Sequence, residues 1–276
     1  MNLLDLQDRV VLITGGCGAI GRVIVRELVA HNARVAVNDI IPPAEAATIL
    51  GEADPAGQCS AYFPANASQP AEIAALFDRV EAHWGLPDVV CCHAGMVDAH
   101  PVSDYPMEAF DRLIDTNLRA AFATAQDISR RWQASPKPGH LIFTTSWVQD
   151  VPWPEITPYT TSKAGMKAMM RGYARELASH NIRANAVAPG IVAVGLARTM
   201  TRPLRKAVMQ RRTVRRLGSP LMSVQVIPHC VVTLAENGMT QTSGLYKQQK
   251  SRLCVEITLK NVIFNAFENR PAKTVA

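Results

Sequence analysis

The chain of 276 residues is 48% hydrophobic and 19% charged, which suits a folded globular protein and excludes disordered and fibrous classes. Lysine and arginine number 29 against 23 acidic residues, a formal charge of +6, but the excess is concentrated between Arg198 and Arg216. No stacking aromatics are interleaved with Arg211, Arg212, Arg215 and Arg216, so this stretch reads as a solvated basic segment able to attract an anionic substrate, and nucleic acid is not an expected partner.

In chain order, Val10 to Thr14 is a short apolar run followed by a glycine-rich turn. Ile20 to His31 then carries apolar residues at helical spacing. Arg34 to Asn38, Cys59 to Phe63 and Asp88 to Cys92 are further short β-rich runs, with an amphipathic helix over Ala71 to Trp84. Phe110 to Trp132 predicts a long helix, His140 to Thr145 a strand, Thr160 to His180 a helix and Ile182 to Ala188 a strand. Strands alternating with helices imply parallel pairing through right-handed crossovers, hence an α/β chain with one doubly wound parallel sheet flanked by helices on both faces. No internal repeat or low-complexity linker interrupts the pattern, and a single domain over residues 1–276 is expected.

The six cysteines, Cys17, Cys59, Cys91, Cys92, Cys230 and Cys254, show no paired C-x-x-C spacing, and several lie in apolar runs, as reduced thiols do. That points to a reducing cytoplasm. Cys91, Cys92 and His93 invite a metal reading, but adjacent strand residues point to opposite faces, so no metal is expected. Asp5 and Asp8 precede the first apolar run without a basic start or cleavage region, and no apolar stretch reaches membrane-spanning length. A soluble cytoplasmic protein without a membrane partner is expected.

The turn Thr14-Gly15-Gly16-Cys17-Gly18-Ala19-Ile20-Gly21 lets the backbone approach a pyrophosphate, and the following helix offers its N-terminal amides. Asp39 ends the second strand near the spacing at which an acid meets the adenosine ribose hydroxyls. A carboxylate there repels a 2′-phosphate, and with no basic residue beside it NAD is favoured over NADP; a turn cap is the structural alternative. Tyr159 and Lys163 stand four residues apart, one turn along a helix and on the same face. Ser146 ends the preceding strand thirteen residues before Tyr159, and Asn117 lies in an apolar helical segment where a buried amide needs a partner.

With these features in their order and intervals, together with Asn185-Ala186-Val187-Ala188-Pro189-Gly190, the chain resembles the short-chain dehydrogenase/reductase family over about residues 6 to 244. The resemblance implies a Rossmann-type domain, family-like over 1–246 with a divergent segment over 247–276, that carries out hydride transfer between a nicotinamide and a secondary alcohol or ketone. It implies a catalytic set of Asn117, Ser146, Tyr159 and Lys163. A free tyrosine titrates near 10, so Tyr159 needs a nearby positive charge, from Lys163 and the oxidised nicotinamide, to act as a base. By resemblance Ser146 holds the substrate oxygen, Lys163 also binds the nicotinamide ribose, and Asn117 supports a water that relays protons to Lys163. The cofactor set implied is Gly15, Cys17, Gly18, Ala19, Ile20, Gly21, Asp39, Asn66, Ala67, His93, Ala94, Gly95, Tyr159, Lys163, Pro189, Gly190 and Val192. Family members also imply a homo-oligomer, dimer or tetramer.

The pattern is broken at several points. Ala19 replaces the middle glycine, Asn66 an aspartate that contacts adenine, His93 an asparagine that stabilises the central sheet, and Val194 a threonine that holds the carboxamide. For His93 a structural role is expected, because Tyr159 already fills the acid/base position. Thr242-Ser243-Gly244 resembles the approach to the last strand, but its Asp-Gly-Gly ending is replaced by Leu245 to Ala276, where either Val255 to Phe264 forms a strand by its alternation or the segment is a loosely ordered replacement. The substrate walls implied by the fold include Met96, Val97, Trp147, Gln149, Trp153, Leu196 and Met200, with Ser146, Trp147, Trp153 and Tyr159 as the substrate set. Trp147 and Trp153 either stack against a cyclic alcohol or sugar, or only pack the lid. The rival to an active dehydrogenase is a catalytically impaired relative that binds dinucleotide as a regulatory or scaffold module.

Overall fold

A computed structural model of the chain describes residues 6–190 and the backbone of 256–258. Its strands are β1 (Val10–Thr14), β2 (Arg34–Asn38), β3 (Ser60–Tyr62), β4 (Val89–Cys92), β5 (Gly139–Thr144), β6 (Ile182–Ala188) and β7 (Glu256–Thr258). The helices between them are α1 (Gly21–Ala30), α2 (Pro43–Ala53), α3 (Pro70–Trp84), α4 (Met107–Ile114), α5 (Ala120–Gln133) and α6 (Thr157–Glu176). The strands form one parallel sheet in the order β3-β2-β1-β4-β5-β6-β7, the expected doubly wound arrangement with its reversal between β1 and β4.

Both faces of the sheet are covered, which is why β1 reads as an unbroken apolar run rather than an alternating one. Val11, Ile13, Val35 and Val37 pack with Ile24, Val25 and Leu28 of α1 on one face. Leu12, Val90, Leu141 and Phe143 pack with Ile73 and Phe77 of α3, Ile128 of α5, and Met166 and Met170 of α6 on the other. Cys91 belongs to the first layer and Cys92 to the second. Among the described residues no cluster of histidine, cysteine and acidic side chains is able to hold a metal, and no helix is long and apolar enough to cross a membrane.

Three departures from the expected elements have local causes. Helix α2 was not anticipated because it buries only Ala46 and Leu50, too narrow a stripe to read as periodic, although a proline in its first turn suits a helix start. The long helix expected over Phe110 to Trp132 is α4 and α5 joined by a π turn, Asp115–Arg119. Helix α6 ends at Glu176 and a 3₁₀ turn, Ala178–His180, closes on Asn181 at φ 61°. In the tail, β7 extends the sheet beside β6 (Ala186↔Glu256, Ala188↔Thr258) within the segment whose alternation suggested a strand. Val192, Val194, Leu196, Met200, the basic stretch and the rest of the tail lie outside the described residues.

Candidate active site

Every parallel strand delivers its C-terminal end to the same edge of the sheet, and a cavity of about 1140 Å³ opens there. One end is the glycine turn. Gly15 has φ +69°, and a Cβ on it would stand 2.8 Å from the Ala94 Cα; one on Gly21 would run into the Gly15 carbonyl. The turn therefore lies against the loop after β4 and leads directly into α1. The Gly16 amide donates to the Asn38 carbonyl at 3.0 Å, tying the turn to the tip of β2.

Asp39, at that tip, accepts from the Ile40 amide at 2.8 Å and from the Cys17 amide at 3.0 Å, so it caps its own turn and also reaches the glycine turn. Asn38 Nδ2 donates to the carbonyls of Phe63 and Ala65, which draws the Asn66–Ala67 segment alongside. Asn66 Oδ1 is engaged by the amide and hydroxyl of Ser68. Gly15, Gly18, Ala19, Ile20, Asp39, Asn66 and Ala67 all line this part of the cavity. Cys17 turns its thiol into the core, where burial, with the Asp39 charge adding to it, pushes the thiol up to about 11. Neither Cys17 nor Gly21 is among the lining residues.

The middle of the cavity is walled by His93, Ala94 and Gly95. The Thr14 hydroxyl accepts from the amides of His93 and Ala94, both at 3.1 Å, and donates to the Cys91 carbonyl at 3.4 Å, which uses all of its hydrogen-bonding capacity. His93 Nδ1 is 3.0 Å from the Thr144 hydroxyl. Burial, and secondarily the Lys163 charge, lowers the His93 imidazole to about 4, so it is neutral at pH 7.

At the far end, Ser146 follows β5 and begins a 3₁₀ turn, Trp147–Gln149, while Tyr159 and Lys163 come from successive turns of α6. Ser146, Tyr159 and Lys163 all line this end of the cavity. Lys163 Nζ lies 5.8 Å from the centre of the Tyr159 ring and donates to the Thr144 carbonyl at 2.8 Å. Burial pushes this ammonium down to about 8. Burial also raises the Tyr159 phenol above its ordinary value, against the opposing Ser146 hydrogen bond. Desolvation thus favours the protonated phenol, and a phenolate here needs a compensating positive charge.

Asn117 stands behind this wall, fully buried in the π turn. Its Oδ1 accepts from the Met96 amide at 2.7 Å, and its Nδ2 donates to the Met96 carbonyl at 2.9 Å and to Ser162 Oγ at 3.1 Å. Ser162 Oγ in turn donates to the Tyr159 carbonyl at 2.7 Å. The Asn117 amide is thereby a brace between the loop after β4 and the Tyr159 turn of α6. Trp147 lines the cavity and meets Trp153 edge to face at 5.3 Å, with Val148, Ile156 and Val97 around them. Trp153 itself is not on the cavity wall. Pro189 and Gly190 complete the lining.

Sequence reasoning did not single out Thr14, Asn38, Thr144 or Ser162, whose polar side chains hold the site together. It also did not register Arg22, whose guanidinium donates to the Cys17 carbonyl at 3.3 Å, on the turn that Asp39 faces. For Thr14, Thr144 and Ser162 the sequence signal is a hydroxyl residue at a strand end or inside a helix next to a motif residue.

The family model for short chain dehydrogenases matches residues 9–204. The 5-keto-D-gluconate 5-reductase of Escherichia coli is 32% identical over 190 residues, covering 68% of this chain and 74% of that protein. The 3-oxoacyl-[acyl-carrier-protein] reductase MabA of Mycobacterium tuberculosis is 32% identical over 213 residues, 77% of this chain and 81% of the relative. A short-chain type dehydrogenase/reductase from Mycobacterium marinum has the same fold, with a TM-score of 0.78 at 24% identity over 93% of this chain and 96% of that one. The 3-ketoacyl-(acyl-carrier-protein) reductase of Brucella melitensis, solved in complex with NADH, superposes with a TM-score of 0.77 at 19% identity, over 92% and 98% of the two chains. The match over most of the described chain, the curated relatives and the shared parallel sheet agree: this protein belongs to the short-chain dehydrogenase/reductase family of oxidoreductases.

Proposed function

We propose that the chain interconverts a secondary alcohol and its ketone with NAD as the cofactor, using Tyr159 as the acid/base. The observation that carries this is the grouping of Ser146, Tyr159 and Lys163 on one cavity that the glycine turn and Asp39 also line. The residues present fit a dinucleotide: a turn with no room for side chains at Gly15 and Gly21, a carboxylate on the cavity wall tied to that turn, and a buried lysine near the phenol. When bound, the nicotinamide supplies the hydride acceptor or donor and, when oxidised, a positive charge.

Ser146 Oγ holds the substrate oxygen beside the Tyr159 hydroxyl, and Tyr159 removes the alcohol proton in oxidation or returns it to the carbonyl oxygen in reduction. Lys163 holds the nicotinamide ribose and places its charge near the phenol. Asn117 is a positioning residue here, since its side chain is used by Met96 and Ser162. Asp39 selects NAD by repelling a 2′-phosphate. Trp147, Val97, Val148 and Ile156 offer one apolar and aromatic wall next to Tyr159, which suits a cyclic secondary alcohol or a sugar ring. A cytoplasmic homo-oligomer is part of the same reading.

The test is turnover of purified protein with NAD and a panel of polyols, sugars and cyclic alcohols, followed by the appearance of reduced nicotinamide. Turnover that Tyr159→Phe abolishes is expected. NAD binding without turnover of any alcohol, or of the matching ketones with NADH, favours a dinucleotide-binding regulatory or scaffold role instead.

A further inference from the structure

Strands β4 and β5 run in parallel register with Cys92 opposite Phe143, so the next residues, His93 and Thr144, stand side by side at the edge of the cavity. Thr144 engages the site twice. Its hydroxyl meets His93 Nδ1 at 3.0 Å, and its carbonyl accepts the Lys163 ammonium at 2.8 Å. Lys163 is only 3% exposed, and the Gly95 backbone passes close to its ammonium. His93 is itself held at its backbone by Thr14, and its ring is on the cavity wall.

We propose that His93 is a positioning residue for Lys163: the imidazole fixes Thr144, and Thr144 presents the carbonyl that holds the ammonium where the nicotinamide ribose is bound. This rests on Lys163 being the ribose-binding group. A clip that merely joined two strand tips would need no link to a cofactor group, whereas the chain His93–Thr144–Lys163 ends on one. The atom that matters is Nδ1. Asparagine places an amide atom at the same distance from Cβ as Nδ1, and glutamine reaches the level of Nε2, so the two substitutions separate the ring's two nitrogens.

The test is a double-mutant cycle on NADH affinity, measured by fluorescence titration, with turnover as a second readout. His93→Ala is expected to weaken NADH binding about fivefold, the worth of one hydrogen bond. His93→Asn recovers most of that loss and His93→Gln does not. In a Lys163→Ala background, His93→Ala changes NADH affinity by less than about twofold, because the residue acts through the missing ammonium. Equal losses in both backgrounds, or a glutamine variant as good as the asparagine one, overturn the proposal. Where the alanine variant lacks a cooperative thermal transition, the cycle is run with His93→Gln. A Tyr159→Phe enzyme with full turnover sinks the proposed chemistry but leaves this binding cycle intact, so the two failures are distinguishable.

Discussion

The Cys17 amide donates to Asp39 Oδ2 at 3.0 Å, which turns the carboxylate at the end of β2 toward the glycine turn. Arg22 sits on the same turn, its guanidinium on the carbonyls of Cys17 and Gly18. The two side chains have opposite consequences for a ribose 2′ substituent, since Asp39 accepts from a hydroxyl and repels a phosphate while Arg22 attracts one. Asp39→Ser removes the charged acceptor and leaves the cation. The KM for NAD is expected to rise roughly tenfold, as for loss of a hydrogen bond to a charged group, while the KM for NADP falls. Michaelis constants for both cofactors with one alcohol check this, and an unchanged ratio removes Asp39 from cofactor selection.

Asn117 closes three hydrogen bonds from within the π turn, two of them to the backbone of Met96. Asn117→Ala strands those groups away from water, and a loss of about 3 kcal/mol of folding stability is expected. Urea denaturation measures it. Because Ser162 links Asn117 to the Tyr159 carbonyl, turnover should fall even under conditions where the variant is fully folded. A variant with wild-type kcat and only reduced stability would show that the brace does not set the tyrosine.

Much of this fold was legible because its strands are short, β-rich and largely apolar: β1, β2 and β6 have the ends the sequence suggests. What was not legible depends on partners distant in sequence. The π turn keeps Asn117 facing Met96, and a single widened turn barely disturbs the apolar spacing of the helix around it. Ser146, Tyr159 and Lys163 announce themselves by interval, but the hydroxyls of Thr14 and Thr144 matter only because parallel register sets β1 and β5 on either side of β4. His93 read as a structural histidine, and its hydrogen bond to Thr144 supplies that role; the proximity of Lys163 to the same threonine had no signature in sequence.

Lys163 carries a stability cost as well as a function. Its folded value of about 8 lies below the ordinary 10.5, the cause being burial. Below pH 8 the ammonium is charged in both states and the folded chain bears the whole cost. Between about 8 and 10.5 the folded chain releases this proton while the unfolded chain keeps it, so this contribution rises with pH in that window. Lys163→Met should therefore stabilise the cofactor-free protein near neutral pH, by as much as about 3 kcal/mol, while turnover falls steeply. A thermal midpoint unchanged or lowered relative to wild type would contradict the burial cost.

Two buried histidines oppose folding in acid. Burial is the main cause at both: His93 is lowered to about 4, with Lys163 contributing, and His140 is held well below 6.5, with Arg183 contributing. Asn185 Nδ2 lies 2.7 Å from His140 Nε2, so a proton added there would face an amide donor. As pH falls below about 6.5 the unfolded chain takes up protons at both rings while the folded chain does not, so folding stability falls with pH. Each ring contributes a slope of about 1.4 kcal/mol per pH unit once the unfolded histidine is fully protonated, and for His93 that slope ends near pH 4. Urea denaturation between pH 7 and pH 4.5 measures the combined slope. His140→Asn should remove about half of it without altering NADH affinity, since His140 lies at the opposite end of β5 from the cavity residue Thr144. A variant as acid-sensitive as the wild type would mean that the carboxylates, rather than the buried imidazoles, govern acid unfolding.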